Sequence, residues 1–486
     1  MHDVILADLE VIAKRAAILT QAKAKAKAKA KCTVYTCRLK AQLSGGFVPP
    51  RIPNTDSLEK LMIKKILIVG SALCLMFTGA TYAQEKTYIQ AGQVVDVVDG
   101  RLLKNQTIIV NGKRIERIDN SSAIDIPEDA TVINLRNETV LPGLIDMHVH
   151  LAANAYANGY ASLAASVPRN ALYGAANARR TLYAGFTSVR DLGADNYVAV
   201  ALRDAINDGD VPGPRMRAAG APLGITGGHC DNNLLPPMYQ FRAPGVADGP
   251  WEVRKKVREN IKYGADVTKF CATGGVASKG TSVGAQQYTL EEMTAIVDES
   301  HRRSRKVAAH AHGAEGIRSA IAAGVDSVEH ASMIDDKGIR MAQANDTFLV
   351  MDVYVSTYIL EMGESAGFLP ESLAKERQVG QVQRDNFRKA HDAGVRIAFG
   401  TDAGVYPHGN NARQFAYMVQ YGMTPMEAIQ AATVDAAELI GWPGDVGAIE
   451  AGRYADIIAV RNNPLDDIRV LEDVQFVMKG GVVYKQ

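Results

Sequence analysis

The chain is 486 residues long, 47% hydrophobic and 22% charged, with a formal net charge of +1. That is enough chain to bury a large core beside an accessory domain, and the composition excludes a disordered or fibrous protein. The near-neutral total hides an uneven distribution: residues 1–83 hold thirteen Lys/Arg against five Asp/Glu, leaving the rest acidic by seven charges. Such a body has no electrostatic reason to bind nucleic acid, which leaves small molecules as the expected partners.

Residues 22–31 spell AKAKAKAKAK, a low-complexity basic run without a packing period. Residues 62–83, MIKKILIVGSALCLMFTGATYA, place Lys64 and Lys65 before an apolar stretch from Ile66 to Phe77 and end in Thr81-Tyr82-Ala83. That order predicts a secretory signal peptide cleaved before Gln84, with an apolar stretch too short to cross a bilayer. Leu73 before Cys74 is a poor context for lipidation, so no stable membrane anchor is expected. Residues 1–61 are expected to be a non-native or disordered extension, with translation starting at Met62 and a periplasmic or secreted mature protein. Of the five cysteines, only Cys230 and Cys271 lie beyond Gln84, and their spacing does not decide whether they pair.

From residue 84 the text becomes strand-like. TYIQAGQVVDVVDG (87–100), QTIIVNGKRIERID (106–119) and ATVINL (130–135) are short β-branched runs broken by Gly, Asn and Asp, as expected of a small antiparallel unit. ADIIAV (455–460) and QFVMKGGVVYKQ (475–486) return to that style, so residues 84–140 and 441–486 are predicted to share one domain. Between them, in 141–440, eight apolar runs alternate with helix-like stretches. The runs are GLIDMHVH (143–150), FTSVRD (186–191), RMRAAG (215–220), DVTKFCA (266–272), KVAAHAH (306–312), SVEHAS (327–332), TFLVMDVY (347–354) and VRIAFGTDAG (395–404). TLEEMTAIVDESHRRS (289–304) and GAEGIRSAIAAG (313–324) are amphipathic separators. Eight such units predict an α/β fold, a (β/α)8 TIM-type barrel.

The polar residues gather at the ends of these runs, where barrels of this kind build their active sites. His148 and His150 have the two-residue spacing that puts both imidazoles on one strand face, a divalent-metal half-site. His310 and His312 end the fifth run, His330 the sixth, and Asp402 the eighth. Lys269, near the end of the fourth, would be repelled by cations and costly to bury as an ammonium. It makes sense there as a CO2-carboxylated amine that bridges two metals. A lysine reaching solvent or binding a substrate anion is the alternative.

Together LPGLIDMHVH (141–150), VTKFCATGG (267–275), AAHAHG (308–313), SVEHAS and FGTDAG (399–404) resemble the amidohydrolase superfamily. The branch they resemble is the microbial Xaa-Pro and Xaa-Arg/Lys dipeptidases, an imidazolonepropionase-like group that includes ochratoxin-hydrolysing amidases. The resemblance runs from about Thr87 to the end and implies a small composite β-sandwich built from both termini. It implies two divalent metal ions, expected to be Zn2+. His148, His150 and Asp402 would hold the more buried one, His310 and His330 the second, and carboxylated Lys269 would bridge both. It further implies attack of a bridging hydroxide on the amide of a dipeptide or N-acyl amino acid, with Asp402 moving the proton to the leaving amine. The one-metal deaminase arrangement lacks a lysine on strand four, so Lys269 argues against nucleobase deamination and true imidazolonepropionase chemistry.

His312 points into the same cavity as His310 and is a candidate to steady the oxyanion. His229, in the glycine-rich GITGGHCDNN (224–233), is a candidate to meet the substrate's free carboxylate. Tyr288 is a weaker candidate for closing over substrate, and Arg190-Asp191 are read as a structural ion pair. The alternative substrate class is a cyclic amide, lactone or phosphoester. A non-catalytic binding protein would have no reason to keep the full ligand set. Oligomeric state is left open, a homo-oligomer included.

Overall fold

The computed structural model describes residues 86–486; the signal peptide expected at 62–83 and the extension expected at 1–61 lie outside the described residues. Among the described residues there are fourteen strands, and no helix is long and apolar enough to cross a membrane.

Seven strands from the two ends of the chain form one sheet. β1 (Lys86–Asp96), β2 (Arg101–Asn111), β3 (Arg114–Asn120) and β4 (Thr131–Pro142) meet β12 (Ile457–Val460), β13 (Phe476–Lys479) and β14 (Val482–Lys485) in the order β14-β13-β12-β4-β1-β2-β3. β4 is the seam, pairing with β1 on one side and with β12 on the other. The expected antiparallel pattern fails at one place, because β1 and β4 run parallel. β2 and β3 pair outward from β1, so the chain crosses back and enters β1's other edge in the same direction. The β-branched residues that made these runs legible form the domain's core, with Ile89, Ile108, Ile133, Val140 and Ile457 in one buried cluster.

β4 leads directly into β5 (Leu144–Val149), the first stave of the barrel. β5, β6 (Phe186–Asp191) and β7 (Arg215–Ala218) form one parallel arc. β8 (Val267–Cys271), β9 (Lys306–Ala311), β10 (Ser327–His330) and β11 (Phe348–Val350) form the other. Two seams close the ring: Ala219 and Leu223 bridge to Val267 and Phe270, while Ile397 and Ala403 bridge to Leu349 and Val149. Residues 395–404 are therefore the eighth stave, held to β5 by Met147 N to Phe399 O at 2.9 Å and Asp402 N to His148 O at 2.8 Å. Every residue of β5, β6, β8, β10 and β11 is buried, which explains why these runs read as nearly continuous apolar text.

The outer layer carries α1 (Val167–Tyr183), α2 (Val198–Asp208), α3 (Gly249–Lys262), α4 (Leu290–His301), α5 (Ala314–Ala323), α6 (Asp336–Ala344), α7 (Val355–Met362) and α8 (Pro370–Asp392). α9 (Arg413–Gln420), α10 (Pro425–Ala431) and α11 (Val434–Ile440) follow the eighth stave. The local rules hold where the sequence signals them. Thr289 and Glu292 cap each other's backbone at the start of α4, and α5 stops at Gly324, whose φ is +92°. The chain is a TIM-type (β/α)8 barrel with a small β domain assembled from both termini.

Candidate active site

Alternation along β5 and into the residue after it sends Asp146, His148 and His150 the same way. Asp146 lies deepest, accepting hydrogen bonds from Thr401 Oγ1 at 2.6 Å, Asn411 Nδ2 at 2.8 Å and the His148 amide at 3.1 Å. It thereby fixes β5 against the stave that carries Asp402. Above it, Asp402 Oδ1 lies 3.5 Å from His148 Nε2 and 3.4 Å from His150 Nε2, so both rings converge on one carboxylate oxygen. Lys269 Nζ, on the neighbouring arc, is 3.4 Å from His148 Nε2. Asp402 and His330 both have left-handed backbones, with φ of +55° and +67°. Such strain in non-glycine residues costs roughly 1–3 kcal/mol each and gathers at functional sites.

The second group is His310, His312 and His330, whose ring nitrogens lie within 4.8 Å of one another; His148, His330 and Asp402 satisfy the same limit. His330 thus belongs to both donor clusters. The buried nitrogen His310 Nε2 has no hydrogen-bond partner among the described residues. A buried donor or acceptor left unpaired costs about 1–3 kcal/mol, so this one calls for a ligand.

The neighbours select the tautomers. His150 Nδ1 is 2.9 Å from the carbonyl of Gly193, which can only accept, so Nδ1 carries the proton and Nε2 keeps its lone pair. His330 Nδ1 meets the Asp352 carboxylate in the same way. His148 Nδ1 lies 3.1 Å from Glu329 Oε2 but is not aligned for a hydrogen bond. Burial drives His148, His310 and His312 well below the ordinary imidazole range and takes His150 down to about 4, so these rings are neutral and able to ligate. Burial also lowers the Lys269 amine, against the pull of Glu329 and Asp402. Buried imidazoles and a carboxylate gathered this closely form a donor set compatible with divalent cations.

A cavity of about 280 Å³ opens over these groups, walled on its apolar side by Val276, Val355, Ile359 and Val405. His229 lines it too, its ring stacked on His310 at 4.1 Å between centroids. Gly275 makes that place available, since a Cβ there would collide with the His229 ring. Burial pushes His229 down to about 3, so it can act as a neutral N–H donor and not as a cation.

Two readings need correction. Tyr288 is fully buried in the core, its hydroxyl donating to Ala247 O at 2.9 Å, and it cannot close over substrate. Arg190 and Asp191 do not pair with each other, because adjacent strand residues face opposite ways. Arg190 instead bonds Glu329 at 2.8 Å and Met147 O at 2.7 Å beneath His148, while Asp191 accepts from the amides of Leu151 and Gly193. Removing one partner of such a buried pair costs about 3–5 kcal/mol.

The question left open by cysteine spacing is answered: Cys230 and Cys271 form a disulfide, with Cα atoms 6.0 Å apart. It ties the His229 loop to the strand that carries Lys269. Closing 41 residues by a cross-link is worth about 4 kcal/mol in the chain-entropy account. Replacing both cysteines by alanine should lower the unfolding free energy in urea by that order. Protein beginning at Gln84 should show no free thiol under native conditions; two titratable thiols would contradict the bond.

Several functional neighbours escaped the sequence reading. Glu329 stands beside His330 in SVEH, where a carboxylate next to a strand-end histidine was the available signal, whereas Asp352, just past β11, had no such neighbour. Gln383, in the middle of α8, gave none.

A profile of the Amidohydrolase family matches residues 139–484, well over half of the chain. The chain belongs to the amidohydrolase family. It is similar to ochratoxinase of Aspergillus niger, with 35% identity over 427 residues covering 82% of this chain and 86% of the relative. A solved Xaa-Pro dipeptidase with methionine bound in its active site matches with a TM-score of 0.79 and 40% identity, covering 83% of this chain and 100% of that one. A prolidase complexed with N-methylphosphonate-L-proline matches at 0.76 and 32%, covering 82% and 100%. As an amidohydrolase the chain is a hydrolase, and these relatives support amide hydrolysis. Amidohydrolases generally bind divalent metals, and the histidine cluster is compatible with that.

Proposed function

We propose that this amidohydrolase uses two divalent metal ions, Zn2+ the expected pair, to cleave dipeptides or N-acyl amino acids beside a free carboxylate. The observation that carries the reading is the convergence of His148 and His150 on Asp402, with Lys269 against His148 and His330 shared by both donor clusters. His148, His150 and Asp402 would hold one cation, His310 and His330 the other, and Lys269 as a CO2-derived carboxylate would serve both. Bound there, the cations would polarise the scissile carbonyl and acidify a water enough for attack near neutral pH.

The chain's own groups do the rest. Asp402 takes a proton at a carboxylate oxygen and delivers it to the departing amine. His312, whose Nδ1 is occupied by Ser332 Oγ at 2.8 Å, faces the cavity as a hydrogen-bonding group for the oxyanion. Val276, Val355, Ile359 and Val405 exclude water and accept an apolar side chain. The names of the relatives, a Xaa-Pro dipeptidase, a prolidase with a proline phosphonate and an ochratoxinase, support an amide substrate of this class. The test is a panel of dipeptides and N-acyl amino acids against esters, lactones and cyclic amides, with zinc-loaded protein starting at Gln84. Turnover confined to the esters and lactones would refute the reading.

Carboxylate recognition is assigned to His229. A hydrogen bond to an anion contributes roughly 1.5–3 kcal/mol, or about ten- to a hundred-fold in kcat/KM. C-terminal amidation of a good dipeptide should cost at least that tenfold, and His229→Ala should reproduce much of the loss on the free acid. The two losses should not add, because they remove one interaction. Equal kcat/KM for acid and amide would refute carboxylate recognition.

We further propose that the protein works in the periplasm or outside the cell, after cleavage before Gln84. The Cys230–Cys271 bond supports an oxidising compartment. N-terminal sequencing of the protein exported by a Gram-negative host should begin at Gln84; an intact cytoplasmic Met1 form would count against export.

A further inference from the structure

Asp352 stands just past the end of β11, is 1% exposed, and bonds neither Arg nor Lys among the described residues. A carboxylate so deeply buried is retained only if something specific compensates it. Both of its oxygens lie 3.0 Å from His330 Nδ1. Gln383, reaching from α8, donates its Nε2 to Asp352 Oδ1 at 2.9 Å and to the His330 carbonyl at 3.1 Å. Three segments therefore meet around one histidine, Asp352 at its ring and Gln383 at its carbonyl.

The backbone at that imidazole is strained. His330 and Ala331 are consecutive left-handed residues, with φ of +67° and +48°, where β10 ends. Such a conformation persists only when its surroundings over-determine it. Gln383 holds the His330 carbonyl on one side and Asp352 holds the ring on the other. A carboxylate accepts and does not donate, so His330 Nδ1 carries a proton and Nε2 is the nitrogen left to ligate.

We propose that Asp352 is the positioning residue of His330, with Gln383 fixing the pair, so that the ring is locked in the tautomer and orientation a ligand of the second cation requires. Its effect on metal rests on the two-metal reading above; its effect on the tautomer does not. Outer partners of metal-binding histidines typically contribute 10–100-fold to metal affinity.

The test uses Asp352→Asn and Asp352→Ala alongside the parent protein. Competition with a chromogenic chelator should show the second zinc equivalent weakened 10–100-fold in Asp352→Asn, while the melting temperature of the metal-free form stays near that of the parent. In metal-free, 15N-histidine-labelled protein, His150 and His330 should both show the fixed Nδ1–H pattern, and Asp352→Ala should replace that of His330 alone by a tautomer mixture. If Asp352→Ala does not fold, the chelator measurement on Asp352→Asn decides. A parent that binds two zinc ions with unchanged affinity in Asp352→Asn overturns the proposal. A parent that binds fewer than two overturns the two-metal reading instead, and the tautomer signal then judges Asp352: its loss in Asp352→Ala supports positioning, its persistence refutes it.

Discussion

Lys269→Ala is expected to lose most of the bound metal and nearly all turnover while remaining folded. Lys269 is enclosed by β8 and its neighbours, with Nζ 3.4 Å from His148 Nε2 and burial lowering its affinity for a proton. A neutral amine is the form that adds CO2, and on the proposed two-metal reading the product would supply the anion between the two cations. Alanine would remove that anion and leave a space beside His148. Short carboxylates such as acetate or propionate should enter that space and restore part of both metal and activity. Elemental analysis finding one metal per chain in the parent, unchanged in Lys269→Ala, would overturn the bridging role.

Asp402→Asn separates ligation from proton transfer. The amide keeps an oxygen toward His148 and His150, so the variant should fold and retain some metal. It cannot carry a proton between water and the leaving amine, and kcat should fall by at least ~10²-fold, the lower end for general acid–base groups. Steady-state kinetics on a dipeptide reads this directly, and near-normal kcat would remove Asp402 from the mechanism.

The barrel was legible because β5, β6, β8, β10 and β11 are buried on both faces and therefore spelled nearly continuous apolar runs, most with His, Lys or Asp at or near their ends, whereas β7, RMRA, is buried only at alternate residues. The eighth stave was readable from VRIAFGTDAG even though only isolated bridges define it in the fold. The histidines were legible because alternation on a strand converts HxH spacing into a shared direction. The parallel β1–β4 pairing was not readable, since periodicity reports which face a residue occupies and says nothing of strand direction. Arg190 was misread for a related reason: proximity in sequence suggested Asp191, whereas its side chain crosses beneath β5 to Glu329, 139 positions away. Tyr288 followed a glycine-rich loop that does border the cavity, but its own side chain turns back into the core. Asp352 and Gln383 act through tertiary contacts with His330, which no local pattern encodes.

The most direct test of the account is a titration of the metal-free protein with Zn2+ in bicarbonate buffer, following cleavage of a dipeptide. Activity should be negligible without metal and should saturate at two equivalents per chain. Saturation at one equivalent, or full turnover of the metal-free protein, would contradict it.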